Sequence, residues 1–346
     1  MADVNELVNP ARLAAFVNEH VPGGPGPVDV ELHVAGFSNI TAYVRRGEDR
    51  WVLRRPPAGP LLPTAHDVLR EYRFIEALHG LARVPGPVAA CEDVSVIGAP
   101  FYLMQRIEGH VIRQTVPPEI DTEPQRRHLA EEMIDALVEL HAVDWQRLGL
   151  RGRPDGYLER QLVRWRGQWE LTRPKTRDLP GLDEVTAWLE SHLPEQSGTT
   201  VVHGDYKMDN VIFTPDGRRL AALFDWEMAT VGDPLADLGW LMAYWGDTGD
   251  PAPPPDAELI QPAAPQQGGF PTREEMVAMY EEKSGRHMRE FAFYLVLAQY
   301  KLAIIIEGLY ANYLSATAAN PDSAAFEWQV PVVVDRARRA MTLETA

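Results

Sequence analysis

Cysteine is almost missing from this chain: Cys91 is the only one in 346 residues. That excludes an intramolecular disulfide and fits a reducing compartment, so a cytoplasmic protein is expected. No cluster of Cys and His with metal-ligand spacing occurs, and there are no heptads or internal repeats. Unbroken apolar runs are scarce as well. Residues 1–20 carry acidic side chains and do not read as a secretory signal. The most apolar stretch, Phe291 to Leu314, is interrupted by Gln299, Lys301 and Glu307, which predicts a buried helix and no membrane span. Cations are in deficit: 33 Lys and Arg stand against 50 Asp and Glu, a formal charge of −17. Nucleic acid is therefore not an expected partner. A solvated acidic surface explains that charge more simply than a cationic substrate does.

What is present centres on one stretch, Val201-Val202-His203-Gly204-Asp205-Tyr206-Lys207-Met208-Asp209-Asn210. Two β-branched valines running into a polar turn predict a short buried strand that delivers a loop. Val211-Ile212-Phe213-Thr214, the turn Pro215-Asp216-Gly217, and Leu220 to Phe224 then predict a hairpin. A hairpin brings the chain back to its starting level, so Asn210 at its entrance and Asp225 at its exit should lie side by side. Asp205 is five residues before Asn210 on the same loop. Three oxygen-bearing side chains thus converge. Mg²⁺ takes oxygen ligands and is commonly held by one or two side chains plus substrate phosphates. Asn210 and Asp225 suit that role, leaving Asp205 to accept a proton from an attacking hydroxyl.

The pattern His-x-Asp-x-Lys-x-x-Asn followed by Asp is similar to the catalytic loop and metal-binding Asp of protein kinases. With Gly204 after the His and Trp226-Glu227 after Asp225, it resembles still more closely the aminoglycoside phosphotransferase family of small-molecule kinases. The resemblance implies an α+β, protein-kinase-like two-lobed fold. Residues 1–106 would form a β-rich N-lobe and 107–346 a larger helical C-lobe, with the nucleotide between them. It implies Mg²⁺-dependent transfer of the γ-phosphoryl of ATP or GTP to a small-molecule hydroxyl, with Asp205 and Lys207 as catalytic residues. The turn Val34 to Thr41, containing Gly36, Ser38 and Asn39, would cover the phosphates. Arg54, on the strand Trp51 to Arg55, stands where such folds carry a lysine, and it offers a planar fork instead of an ammonium. Its partner would be Glu71, in the helix predicted over 65–80, with Glu76 the competing choice. The backbone of Gln105 and Ile107 would pair with the base, and Glu227 is a candidate on the substrate side.

Within that family Val52-Leu53-Arg54-x-Pro56-Pro57, Leu61-Leu62-Pro63-x-Ala65-His66 and Asp225-Trp226-Glu227 look most like the kinase-type domains fused to, or encoded beside, acyl-CoA dehydrogenases. Such proteins can carry a dehydrogenase name. Nothing in this sequence supports a flavin site, and that activity is rejected. The competing class is a nucleotide-binding module without turnover, whose support is Arg54 in place of lysine.

Further helices are predicted over 1–20, 122–141, 157–169, 182–193, 272–283, 290–316 and 324–342. Asp233 before Pro234 reads as a helix cap, and Asp237 as a second cap or a brace for the catalytic loop. Gly246 to Pro271 reads as a long surface loop, a candidate lid. One segment departs from the acidic trend: Arg151, Arg153, Arg160, Arg164, Arg166, Arg173, Lys175 and Arg177 face only Asp155, Glu159 and Glu170. Arg160 and Arg164 share a helix face. Clustered arginines favour an acceptor bearing phosphate or carboxylate, such as a hydroxyacyl-CoA, over a polycationic antibiotic of the aminoglycoside type. The alternative is that they pair with nearby carboxylates on a solvated face.

Overall fold

The computed structural model describes residues 7–33, 39–57, 67–150, 152–246, 264–315 and 321–343. Helix α1 (Pro10–His20) starts where the Asn9 side chain accepts from Arg12 N–H and Pro10 presets the first turn. It buries Leu13, Phe16 and Val17. Strands β1 (Val28–His33), β2 (Ile40–Arg46) and β3 (Asp49–Arg55) follow. Helix α2 (Val68–Leu78) is capped by Asp67 and leads to Gly80 at φ 79°. Strands β4 (Pro87–Cys91) and β5 (Phe101–Gln105) complete an antiparallel sheet in the order β1-β2-β3-β5-β4.

Strand periodicity sorts β3 onto two cores. Trp51 and Leu53 pack with α1, Phe101 and Leu103 in a core on one face. Val52 joins Tyr102, Met104 and the α2 residues Phe74, Ile75 and Leu78 on the other. Arg54 shares the Val52 face and so points toward α2. The apolar spacing of 65–80 predicts a core stripe of Val68, Leu69, Tyr72, Ile75 and Leu78, and the observed face differs from it at two positions. Leu69 and Tyr72 are only partly buried, whereas Phe74 and the carboxylate Glu71 are buried with Val68, Ile75 and Leu78, because Glu71 faces Arg54 on the sheet.

The rest is mostly helical. Helix α3 (Glu123–His141) is capped by Thr122, and α4 (Tyr157–Thr172) and α5 (Pro180–Ser191) follow. Short strands β6 (Thr200–Val202), β7 (Val211–Phe213), β8 (Leu220–Leu223) and β9 (Thr230–Gly232) pair as β6-β9 and β7-β8. Helices α6 (Leu235–Tyr244), α7 (Arg273–Ser284, with a Thr272/Glu275 capping box), α8 (Phe291–Leu314) and α9 (Phe326–Ala340) end the chain's described part. By length and composition α8 could cross a membrane, but 83% of its most apolar window is buried inside the fold. Of the expected lid, 247–263 lie outside the described residues. Its end does not lie free on the surface: Ala264 N–H donates to Arg113 O, and Pro271 O accepts from the Trp245 indole, so backbone groups anchor it.

Candidate active site

All three residues of β6 are buried, and pairing with β9 fixes the strand that feeds the loop 203–210. The loop itself is held by side chains. Asp237, wholly buried in the first turn of α6, accepts from the N–H groups of His203 (2.6 Å) and Gly204 (2.7 Å) and lies 3.3 Å from His141 Nε2. Burial alone would raise its pKa, but these donors more than reverse that and keep it a carboxylate. Asp237 is therefore the brace and not a cap, and His141 is structural. His203 accepts the Asp205 N–H at Nδ1 (3.2 Å) and approaches Phe224 O through Nε2 (2.8 Å), which assigns its proton to Nε2. Burial lowers its pKa, so it stays neutral. Gly204 is at φ 81°, and a Cβ there would stand 2.6 Å from Met228 O. No other residue fits.

Asp205 is held at both carboxylate oxygens. Asn210 Nδ2 donates to Oδ2 (2.6 Å) and to the Asp205 carbonyl (2.8 Å), and the Trp240 indole donates to Oδ1 (2.9 Å). Lys207 Nζ is 3.8 Å from Oδ2 and 3.2 Å from Asp209. Burial raises the Asp205 pKa, with Lys207 and Lys301 opposing. The hairpin forms as expected, with Val211 opposite Leu223 and Phe224 N–H donating to Asn210 O (2.8 Å). That bond puts Asn210 next to Asp225. Asp225 has left-handed backbone (φ 63°, ψ 60°), a conformation few non-glycine residues adopt, which turns the chain out of β8.

From the sheet side Arg54 reaches in. Its Nη2 lies 3.0 Å from Asp225 Oδ1 and 3.6 Å from Glu71 Oε1, which settles Glu71 over the exposed Glu76. Burial opposes the guanidinium charge, but Glu71, Asp225 and Glu227 outweigh it and raise the Arg54 pKa. Burial pushes the Glu71 carboxyl up, and Arg54 pulls it partway back. Glu227 faces the same cluster: Asn39 Nδ2 is 3.5 Å from its Oε2, and burial with Asp225 and Glu71 nearby pushes it up to about 8. Arg70 of α2 donates to the carbonyls of Glu227 (3.0 Å) and Ala229, tying α2 to the segment after Asp225.

Gly36 and Ser38 lie outside the described residues; Asn39 is buried, and its Oδ1 has no hydrogen-bond partner among the described residues. The Gln105 N–H is taken by Gly86 O (2.7 Å), so of its backbone groups only the carbonyl is left for a base. The basic segment divides. Arg166 pairs with Glu190 (2.7 Å), Arg173 with Asp178 (2.5 Å) and Asp183, and Arg177 with the buried Glu307 (3.1 Å). Arg160, expected at the substrate, donates to the carbonyls of Arg153 (2.6 Å) and Asp155, because the loop before α4 folds back onto its first turn. Arg164 is exposed, stacks on Trp165 (5.0 Å), and has no carboxylate partner among the described residues. Sequence reasoning missed Trp240 and Lys301 at this site. The signal for Lys301 was there: a cation in an otherwise apolar helix.

These features define a kinase-type cleft, in which a carboxylate loop and an acid-bearing hairpin meet a basic strand residue and its helix glutamate. The model of the phosphotransferase enzyme family matches residues 29–264, and the chain belongs to that family. Acyl-CoA dehydrogenase family member 11 of Gallus gallus is 35% identical over 339 residues, which span 94% of this chain and 42% of that protein. The chain thus spans less than half the length of that relative. A crystal structure of a candidate aminoglycoside phosphotransferase from Ralstonia eutropha is 30% identical with a TM-score of 0.76, covering 95% of this chain and 98% of the other. Spectinomycin phosphotransferase, solved with ADP and spectinomycin, superposes with a TM-score of 0.62 at 12% identity over 96% and 98% of the chains. At that identity the likeness shows the fold alone. The expected family, fold class and resemblance to relatives that carry an acyl-CoA dehydrogenase name are borne out.

Proposed function

We propose that the chain transfers the γ-phosphoryl group of ATP or GTP to a hydroxyl of a small anionic metabolite. The observation that carries this is the fixed carboxylate of Asp205. Its two oxygens are oriented by Asn210 and Trp240 beside a hairpin that presents Asp225. In this reading Asp205 takes the acceptor's proton as the acceptor oxygen bonds to the γ-phosphorus. The bond to the β–γ bridging oxygen breaks and the nucleoside diphosphate leaves. Burial, by raising the Asp205 pKa, makes it a stronger base. Lys207, kept cationic by Asp205 and Asp209 against burial, offsets charge on the transferred group. In this reading Arg54 and Lys207 supply the positive charge that faces the phosphates.

The donor set fits Mg²⁺. Because Asn210 Nδ2 is committed to Asp205, its Oδ1 is the amide atom left for a hard cation, and Asp225 supplies the second oxygen. Among the described residues no three His, Cys, Asp or Glu side chains form a cage, as suits an ion that completes its shell with phosphate and water. When bound, the ion neutralises charge on the phosphate oxygens.

For the acceptor, the relative named as an acyl-CoA dehydrogenase family member and Arg164, which has no carboxylate partner among the described residues, support a hydroxyacyl-CoA over an aminoglycoside. The test is phosphoryl acceptance by hydroxyacyl-CoAs and kanamycin-type aminoglycosides side by side under Mg²⁺, with Arg164→Ala. Robust aminoglycoside phosphorylation indifferent to that change refutes the acceptor class. Nucleotide binding with no phosphoryl transfer to any acceptor, and no release to water, would instead make the chain a binding module.

A further inference from the structure

Helix α8 buries a lysine behind the catalytic loop. Lys301 is 9% exposed in a helix whose neighbouring positions are apolar. An ammonium in such a place costs several kcal/mol of desolvation unless it is well partnered. A Met or Leu would pack there without that cost, so its contacts carry the explanation. Its Nζ donates to the carbonyl of Gly204 and lies 3.7 Å from the ring centre of Trp240 and 5.8 Å from that of Trp165. Gly204 precedes Asp205, and the Trp240 indole N–H is the donor to Asp205 Oδ1. Beside the Asn210 amide, Lys301 therefore touches two further routes by which the carboxylate is held, one through the backbone and one through the indole. A cavity of about 20 Å³ beside it, lined by Gln161, Trp165, Asp237 and Trp240 among others, has room for one water to accept a remaining N–H.

We propose that Lys301 is a positioning residue for Asp205, its ammonium bracing the Gly204 carbonyl and fixing the Trp240 indole in the orientation from which it donates to the carboxylate. This rests on the phosphoryl-transfer reading for its kinetic consequence but not for the coupling itself. The charge matters because the ring face attracts a cation and not a neutral amine. Burial brings the Lys301 pKa down to about 8, with Asp205 and Asp237 opposing it and Arg164 and Lys207 adding to it. Tyr157 and Tyr294 also line the cavity, and burial keeps both protonated there. The brace is then charged below about pH 8 and neutral above it.

The experiment compares wild type, Lys301→Met and Lys301→Arg. Met keeps the volume and removes the charge, while Arg stays charged throughout. Expected for Lys301→Met is a kcat on the order of 10²-fold lower, the scale of a misplaced catalytic group, with nucleotide Kd within about twofold of wild type. Lys301→Arg recovers part of kcat and lacks the decline of wild-type kcat as pH rises through 8. Independently of turnover, the Trp240 indole ¹H–¹⁵N resonance, assigned by its loss in Trp240→Phe, should titrate with a midpoint near pH 8 in wild type and not in Lys301→Met. Wild-type kcat in Lys301→Met overturns the proposal, as does a loss that falls equally on nucleotide affinity. An indole resonance that ignores both pH and the substitution overturns it too. If wild type transfers phosphate to nothing, the functional reading fails while the indole titration still decides the coupling.

Discussion

Arg54 offers the most quantitative test, because it is the cation between Glu71 and Asp225 and faces Glu227 as well. Replacing it with Ala leaves Glu71, 1% exposed, without a counter-charge. Breaking a buried pair in this way costs about 3–5 kcal/mol. The cost has a ceiling, because Glu71 can take up a proton instead. Neutralising a carboxyl of ordinary pKa, about 4.3, at pH 7 costs about 3.7 kcal/mol, and at pH 5 only about 1 kcal/mol. A carboxyl whose pKa is raised in the folded state destabilises above its unfolded pKa, and the penalty fades as pH falls toward that value. Arg54→Ala should therefore unfold more easily than wild type by up to about 3.7 kcal/mol at pH 7 and by no more than about 1 kcal/mol at pH 5, by urea denaturation at both pH values. Arg54→Lys keeps a charge that reaches one carboxylate at a time, and it should lose little stability and retain appreciable phosphoryl transfer. Transfer in Arg54→Ala should fall about 10²-fold or more, as a phosphate contact of this kind is lost. An alanine variant as stable as wild type at pH 7 and fully active would refute the reasoning. Arg55 could not be credited instead, since its guanidinium is committed to the carbonyls of Leu7 and Ile97 (3.2 Å).

Three other outcomes are expected. Asp205→Asn should lower single-turnover phosphoryl transfer by roughly 10²-fold or more while nucleotide binding survives; a variant within a few-fold of wild type would remove Asp205 from the chemistry. Asp225→Ala should weaken Mg²⁺-nucleotide binding more than metal-free nucleotide binding in titration calorimetry, and equal effects would make Asp225 structural. Asp237→Asn should cost about 2–4 kcal/mol at neutral pH, because His203 and Gly204 donate to different carboxylate oxygens and an amide puts an NH₂ donor at one of them. The Asp237 pKa is depressed, so its stabilisation is present above the ordinary carboxylate range and lost as pH falls through the lower folded value. The gap between variant and wild type should accordingly close below about pH 4 in denaturation curves; a gap that persists there would assign the loss to something other than the carboxylate.

What the amino-acid order determined by itself was local. The strand, loop and hairpin from Val201 to Asp225 follow from β-branched residues, a Pro-Asp-Gly turn and the fixed geometry of a hairpin, so Asn210 and Asp225 could be set side by side without any long-range contact. The strand carrying Arg54 and the helix carrying Glu71 were readable locally, but their pairing was implied by the resemblance to kinases, and the choice of Glu71 over Glu76 needed which face of α2 meets the sheet. Tertiary structure decided the rest. Arg160 looked like a ligand because helical spacing cannot show that the preceding loop folds back and offers its carbonyls. Arg166, Arg173 and Arg177 met carboxylates on α5, on the loop before it and on α8, up to 130 residues away in sequence. Trp240 and Lys301 reach Asp205 and Gly204 from 35 and 97 residues away. No periodicity encodes such distances: they depend on how α6 and α8 pack against the loop, and a buried charge acquires its role only from the groups that packing brings to it.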